Sequence, residues 1–453
     1  MMNQSQRPAN WAQLTPEQKR AWRFQNWADS VQHIQFVSPA ARQHYQAQIE
    51  RLSAVYQVRE PDRVPVIIST GNLPYSEAGL DYKTAIHEPE QAVQACLKFS
   101  EKHTSDLDTF ASSMVFPATS MENLDYHMYI WPGNGLADSA TGFQFVEGEY
   151  MLANEYDALL RDPTDFWMRT YLPRVYGAFK PMQQVSPLTD IFEIVKADML
   201  FLANPDVQAM LQKLLDSGKL LKRYMQANIE LRDQLLANGY AAAPMAGFAK
   251  APFDTVGDTL RGTKGIMRDI YRQPDKLLKA VDLLADITIN NVLSSPGACD
   301  GLTVTYPLHK GADGWMSQKQ FETFYWPSLK KTMEAFIQEG LIITLFAEGS
   351  YNTRLDYVDQ FPKGTVVWWF DQSDMAKAKK TLGDHCCIQG NVPSSLVMTA
   401  APAATREYCR QLIEACAPGG GFILGQGCQA EFPKIENLQA MVDAAREFGV
   451  YRK

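Results

Sequence analysis

The sequence predicts an α/β protein built as a (β/α)8 TIM barrel with a helical N-terminal extension. Three observations carry that expectation. The second half alternates near-continuous apolar runs with amphipathic helices, the mark of a parallel sheet covered on both faces. The 453 residues are enough for one elaborated barrel. No GxGxxG follows the first apolar run, and GGGFILGQG does not meet that spacing, so a doubly wound dinucleotide sheet is the weaker choice.

The extension spans residues 1–60 and the barrel residues 61–453. In the extension, Thr15-Pro16-Glu17 is a helix start, with Thr15 as N-cap and Pro16 in the first turn. Trp11, Trp22 and Trp27 give this segment an apolar mass that needs a surface to pack on. VPVIIST (64–70) is the first strand and EPEQAVQACLKFSEKH (88–103) a helix. Residues 110–185, rich in Pro, Tyr and Trp, read as long loops and short strands forming a lid over a pocket. The later strands are DGLTVTYPL (300–308), LIITLFAEG (341–349), TVVWWFD (365–371), CCIQGNV (386–392) and GGFILGQG (420–427). Helices at 318–340, 374–383 and 403–420 separate them.

Composition excludes several classes of function. Hydrophobic residues are 46% and charged residues 21%, which is globular rather than disordered. A net charge of −8 argues against nucleic acid as partner. No apolar stretch of about 18 residues exists, so no membrane helix is expected. The polar N-terminus lacks a signal-peptide core, and the 7 cysteines form no CxxC or disulfide framework, which fits reduced thiols in cytoplasm.

Barrel enzymes carry their chemistry at the C-terminal ends of the strands. Past the five later apolar runs come His309, Lys310 and Asp313; Glu348 and Arg354; Asp371 and Asp374; Gln389 and Asn391; and Cys428. Glu348, His309 and Asp371 are the expected catalytic groups. Glu348 follows a run as apolar as LIITLFA, where a carboxylate needs a cation, and Arg354 or a metal would serve. Tyr351, Arg354, Trp315, Phe116 and Asn391 are expected to line the substrate site. Asp374 reads better as a helix cap, and Cys386 or Cys387 as core. His309, Glu348 and Cys428 make an N/O/S donor set for zinc with an open position, carried by long-range spacing alone.

Several stretches resemble the uroporphyrinogen decarboxylase superfamily: GFAKAPFDTVGDTLRG (247–262), SQKQFETFYWPSLKK (317–331), IQGNVPSSLV (388–397), GGGFILGQG (419–427) and PKIENLQAM (433–441). They stand in the family's order, and the resemblance implies the same barrel. Two activities occur there. The decarboxylases hold a polycarboxylate substrate on arginines, but the matching STGNLPYSEAGLDY (69–82) has none. Likewise, DTFASSMVFPATSMENL (108–124) has Ser, Met, Phe and Pro in place of the family's aspartate. The other branch moves methyl groups through a corrinoid and binds zinc by a His-x-Cys pair plus a last-strand Cys. Cys428 matches the last ligand, while Phe346 and Glu348 replace the pair and His309 could supply the missing nitrogen.

The resemblance therefore implies a divergent methyltransferase or demethylase. It would take a methyl group from a small methoxylated or N-methylated compound, with zinc, and pass it to a corrinoid on a partner protein or to another carrier. A homodimer is expected on the same ground. The alternatives are a carboxy-lyase acting on a smaller substrate and a non-catalytic protein that binds a tetrapyrrole or corrinoid.

Overall fold

The computed structural model describes residues 7–103, 107, 110–111, 116–187 and 197–451. Its main sheet has strands β1 (Val66–Ser69), β2 (Phe110–Ala111), β3 (Met245–Phe248), β4 (Thr303–Leu308), β5 (Ile342–Ala347), β6 (Val366–Phe370), β7 (Cys387–Val392) and β8 (Phe422–Gln426). All pair in parallel, in the order β2-β1-β8-β7-β6-β5-β4-β3. That is the cyclic order of a (β/α)8 barrel read around from its second strand to its third. Among the described residues no ladder joins β2 to β3, so the sheet is the parallel barrel-ordered sheet without that last seam. The quoted stretch 108–124 lies partly outside the described residues, which lack 108–109 and 112–115.

Local chemistry explains the strands. β6 reads VVWWF, all β-branched or aromatic, and Ile343, Leu345, Ile388 and Leu424 are fully buried. Each such side chain contributes about 1.5–3 kcal/mol by leaving water. The β1–β8 seam has an added clamp: the Gln426 amide accepts from Ser69 N at 2.7 Å and donates to Ser69 O at 3.0 Å.

Helices α1 (Pro16–Asp29) and α2 (Pro39–Tyr56) form the extension. α1 starts with the expected Thr15 cap, completed into a capping box by Gln18. Along the main sheet, α3 (Pro89–His103), α4 (Pro205–Ala237), α5 (Pro274–Leu293), α6 (Trp326–Gln338), α7 (Met375–Leu382), α8 (Pro402–Cys416) and α9 (Ile435–Phe448) follow their strands. Asp374 caps α7 by accepting from Lys377 N. Between β5 and β6 the connection is a 3-10 turn, Leu355–Gln360. No helix among the described residues is long and apolar enough to cross a membrane.

The extension packs on the strand starts of the sheet, at the end opposite the expected site. Trp27, Ile49, Leu52 and Val55 form one cluster with Leu302, Ile342, Val367, Cys387 and Ile423, which all lie at strand starts. Fully buried Arg23 seals this contact, donating to the carbonyls of Glu339 at 3.0 Å and Ala298 at 3.1 Å, and to that of Gly301. The C-terminal ends of the strands lie away from this contact. Arg23→Ala strips three carbonyls of a charged donor, a loss of about 3 kcal/mol. Urea unfolding should read that loss, and unchanged stability would show that Arg23 does not hold the extension.

Candidate functional site

The site grows from the stretch after β3. Lys250 lies just past the strand, and Asp254 and Asp258 stand four residues apart on the helical turns that follow, so both carboxylates face β4. Asp254 is fully buried. Its oxygens accept the backbone N–H groups of His309 at 3.0 Å and Lys310 at 2.9 Å, and the Tyr325 hydroxyl at 2.7 Å. Burial first, and the nearby Asp258 charge second, hold its pKa above the usual carboxylate range. Asp254 thereby fixes the backbone where β4 ends.

Asp258 holds the side chains. Its carboxylate meets His309 Nδ1 at 2.6 Å, Lys310 Nζ at 2.5 Å and Lys250 Nζ at 2.8 Å. Burial opposes its charge, but three cationic partners override burial and push its pKa well down. Gly257 makes room for this: a Cβ there would lie 2.6 Å from Lys310 Cδ and Cε. Lys310 Nζ also sits 5.2 Å from the Trp315 ring centroid, so Trp315 borders the cluster as expected.

His309 links this cluster to β5. Its Nε2 lies 3.6 Å from Glu348 Oε1, and Glu348 keeps 46% of its side chain exposed. Burial alone would lower the His309 pKa; the Asp258 and Glu348 carboxylates outweigh it and raise the pKa to about 10. The imidazole is thus a cation with a donor at each nitrogen. Tyr129, from a small sheet of Tyr129–Pro132, Gly135–Leu136 and Gln144–Phe145, feels both Asp258 and Glu348, so part of the expected lid lies over this end.

A second group lies at the ends of β6 to β8. Asp371 accepts Gly349 N at 3.1 Å. Gly427 packs so tightly on Asp371 that a Cβ there would come within 2.8 Å of its carbonyl oxygen. The next residue, Cys428, is half-buried with Sγ 3.0 Å from Ser394 Oγ. Burial, with the Asp371 and Glu348 charges adding to it, raises its thiol pKa.

Other expected site residues are placed as braces. Arg354 is 2% exposed and donates to the carbonyls of Met316 at 2.8 Å and Gly311 at 3.3 Å, and to Gln318. It holds the loop after β5 and does not pair with Glu348, whose cation is His309. Tyr351 is 1% exposed beside Trp368. The buried Asn391 amide donates to the carbonyls of Asp371 at 3.1 Å and Ser373 at 2.9 Å. Phe116 stands in the lid, stacked on Phe143. Cys386 and Cys387 are buried core.

The expected zinc set is not assembled. Among the described residues no three His, Cys, Asp or Glu side chains are grouped as a metal site. His309 Nδ1 and Nε2 face Asp258 and Glu348 while Cys428 Sγ lies against Ser394 Oγ, so the three expected donors are not gathered about one point. Lys250, Asp254, Asp258 and Tyr129 were not among the residues expected from sequence. The signal for the first three was present: GFAKAPFDTVGD follows a strand as the other site segments do, though only MAGF marks that strand.

Protonation of His309 favours the fold, because its pKa rises to about 10 from an unfolded value of about 6.5. That stabilisation is complete below about pH 6.5 and is lost as pH rises through about 10. The melting-temperature gap between wild type and His309→Gln should therefore shrink across this range; a gap that widens would contradict the clamp. Asp258→Asn, which leaves three cations around a neutral amide, should cost about 3 kcal/mol or more in chemical denaturation.

Comparison with known proteins places these segments within a family match. The uroporphyrinogen decarboxylase (URO-D) profile matches residues 200–448, which include β3 to β8 and most of the polar groups above. The uroporphyrinogen decarboxylase of Psychromonas ingrahamii is 23% identical over 258 residues, covering 56% of this chain and 69% of that protein. That of Chloroherpeton thalassium is 24% identical over 261 residues, 55% of this chain and 69% of its own. A methyltransferase from Methanosarcina mazei has a similar fold, with a TM-score of 0.56 at 16% identity over 89% of this chain and 98% of its own. With its matched region running over more than half of its length, this chain belongs to the uroporphyrinogen decarboxylase (URO-D) family.

Proposed function

We propose that this protein is a URO-D-like methyltransferase that moves a methyl group from a small methoxylated or N-methylated compound to a corrinoid or other carrier. The observation that carries the reading is the His309–Glu348 pair, a clamped imidazolium 3.6 Å from a half-exposed carboxylate at the open strand ends. The fold likeness to the Methanosarcina mazei methyltransferase supports the same reading.

Transfer from an ether forms a bond from the acceptor to the methyl carbon and breaks the methyl carbon–oxygen bond, leaving the electron pair on oxygen. The departing oxyanion then needs a proton. The His309 imidazolium can supply it from Nε2, relayed through the Glu348 carboxylate, and Asp258 keeps the imidazole oriented while it regains a proton from water. A corrinoid in its reduced state, carried by a partner protein, would supply the nucleophilic pair. The lid aromatics would keep water from the exchange. Because the expected donors do not fit a metal as placed, no step is routed through zinc.

The uroporphyrinogen decarboxylase relatives favour a second reading, a lyase on a smaller carboxylate. Incubation of the purified protein with methoxylated and N-methylated compounds and cob(I)alamin separates the two. Methylcobalamin formation is expected, with a fall of about 10²-fold or more in Glu348→Gln and His309→Gln. Carbon dioxide release without cobalamin, and no methyl transfer from any donor, would overturn the methyltransferase. Zinc analysis beside Cys428→Ser checks the metal: zinc at one per chain, lost in the variant, would contradict the metal-free site.

A further inference from the structure

A cavity of about 420 Å³ opens beside the β8–β1 edge of the site, between the lid and the loop after β8. Aromatic rings dominate its wall: Tyr75, Tyr82, Phe116, Phe143 and Tyr224. Among the described residues the wall holds one carboxylate, Glu431, and no Lys, Arg or His. Thr141 Oγ1 donates to Glu431 Oε2 at 2.8 Å and so fixes this carboxylate on the rim.

The nearby cations do not neutralise it. Lys83, next to Tyr82, is spent on Asp138 at 2.9 Å, and Arg223, next to Tyr224, on Glu88 and Glu90 at 2.8 and 2.6 Å. A smaller adjoining cavity of about 180 Å³ shares Asn72, Tyr75, Tyr82 and Thr141 and adds the carboxylates of Asp81 and Asp138. Tyr82 stays a neutral phenol, since burial and then the Glu431 charge push its pKa up to about 12. Phe116 and Phe143 stack with centroids 4.9 Å apart, and Phe143 remains 45% exposed, an apolar face that a ligand would cover.

Aromatic faces carry negative potential, and the rings here stand in a field made more negative by Glu431. An anion would be repelled. A primary ammonium would lose hydrogen bonds to water that the rings cannot replace. A methylated ammonium is cationic, weakly hydrated and covered with methyl groups that pack on rings, so it fits both features of the wall at once.

We propose that this cavity is an aromatic cage that binds a methylated ammonium group, with Glu431 as its counter-charge. The cage goes beyond the methyl-transfer reading and does not rest on it, because His309, Glu348 and Cys428 do not line the cavity. Its wall reaches the site through Phe143, whose ring lies 5.4 Å from that of Tyr129, so a bound molecule would sit next to the chemistry.

The test is calorimetric titration of the full-length protein with choline and with 3,3-dimethylbutan-1-ol, its neutral isostere. Choline should bind at least about tenfold more tightly than the alcohol, a gap of about 1.4 kcal/mol. Glu431→Gln and Tyr82→Leu should each weaken choline by about tenfold, and Tyr82→Phe should retain it. Glu431 is exposed, so Glu431→Gln keeps the test sound even where Tyr82→Leu unfolds. Equal binding of the two probes, no binding of choline, or indifference to Glu431→Gln would overturn the cage. Choline binding with no methyl transfer from any donor would sink the methyltransferase alone.

Discussion

Two carboxylates buried against the end of β4 govern this site. Asp254 cannot stay inside the protein without donors, and it finds them in the backbone of His309 and Lys310 and in Tyr325. Asp258 cannot stay ionised without cations, and it gathers His309, Lys310 and Lys250. One of the pair thus sets where the strand ends, and the other sets how its side chains point. Everything functional on the β3–β5 side follows, since Glu348 meets a cation only because His309 is held in place.

The rest of the molecule is arranged around that end. The extension covers the strand starts with Trp27, Ile49, Leu52 and Val55, which leaves the opposite strand ends to the polar groups. There the lid brings Tyr129 over the charged pair, while Phe116 and Phe143 turn toward the neighbouring cavity. The site therefore has a charged half at β3–β5 and an aromatic half at β8–β1. Cys428 stands at the exit of β8, one residue before Gln429 of the aromatic half.

Much of the fold was legible from sequence because period and punctuation are local. The strands at 303–308, 342–347, 366–370, 387–392 and 422–426 lie within the apolar runs that announced them. The Thr15 cap and the Asp374 cap were also readable, since a cap needs only neighbours in the chain. The 33-residue helix Pro205–Ala237 escaped notice, because only scattered positions such as Val207, Met210 and Leu231 are buried on an otherwise polar surface.

The site was legible as a list of strand-end residues but not as partnerships. His309 and Glu348, both on that list, stand 3.6 Å apart at adjacent strand ends. Their roles depend on Asp258, which lies 51 residues from His309, and no spacing rule links the two. Arg354 looked like a substrate ligand because a guanidinium beside a strand end often is one. Its fate was decided by the carbonyls of Gly311 and Met316, which only the folded chain brings to it.

In the proposed transfer, the His309 imidazolium acting through Glu348 protonates the group that leaves as the methyl moves. The direct measurement is the rate of methyl transfer to cob(I)alamin from aryl methyl ethers of graded phenol acidity, in wild type and in Glu348→Gln. General-acid assistance predicts a shallow dependence on leaving-group acidity in wild type and a steep one in the variant. Equal slopes in the two proteins would contradict the account.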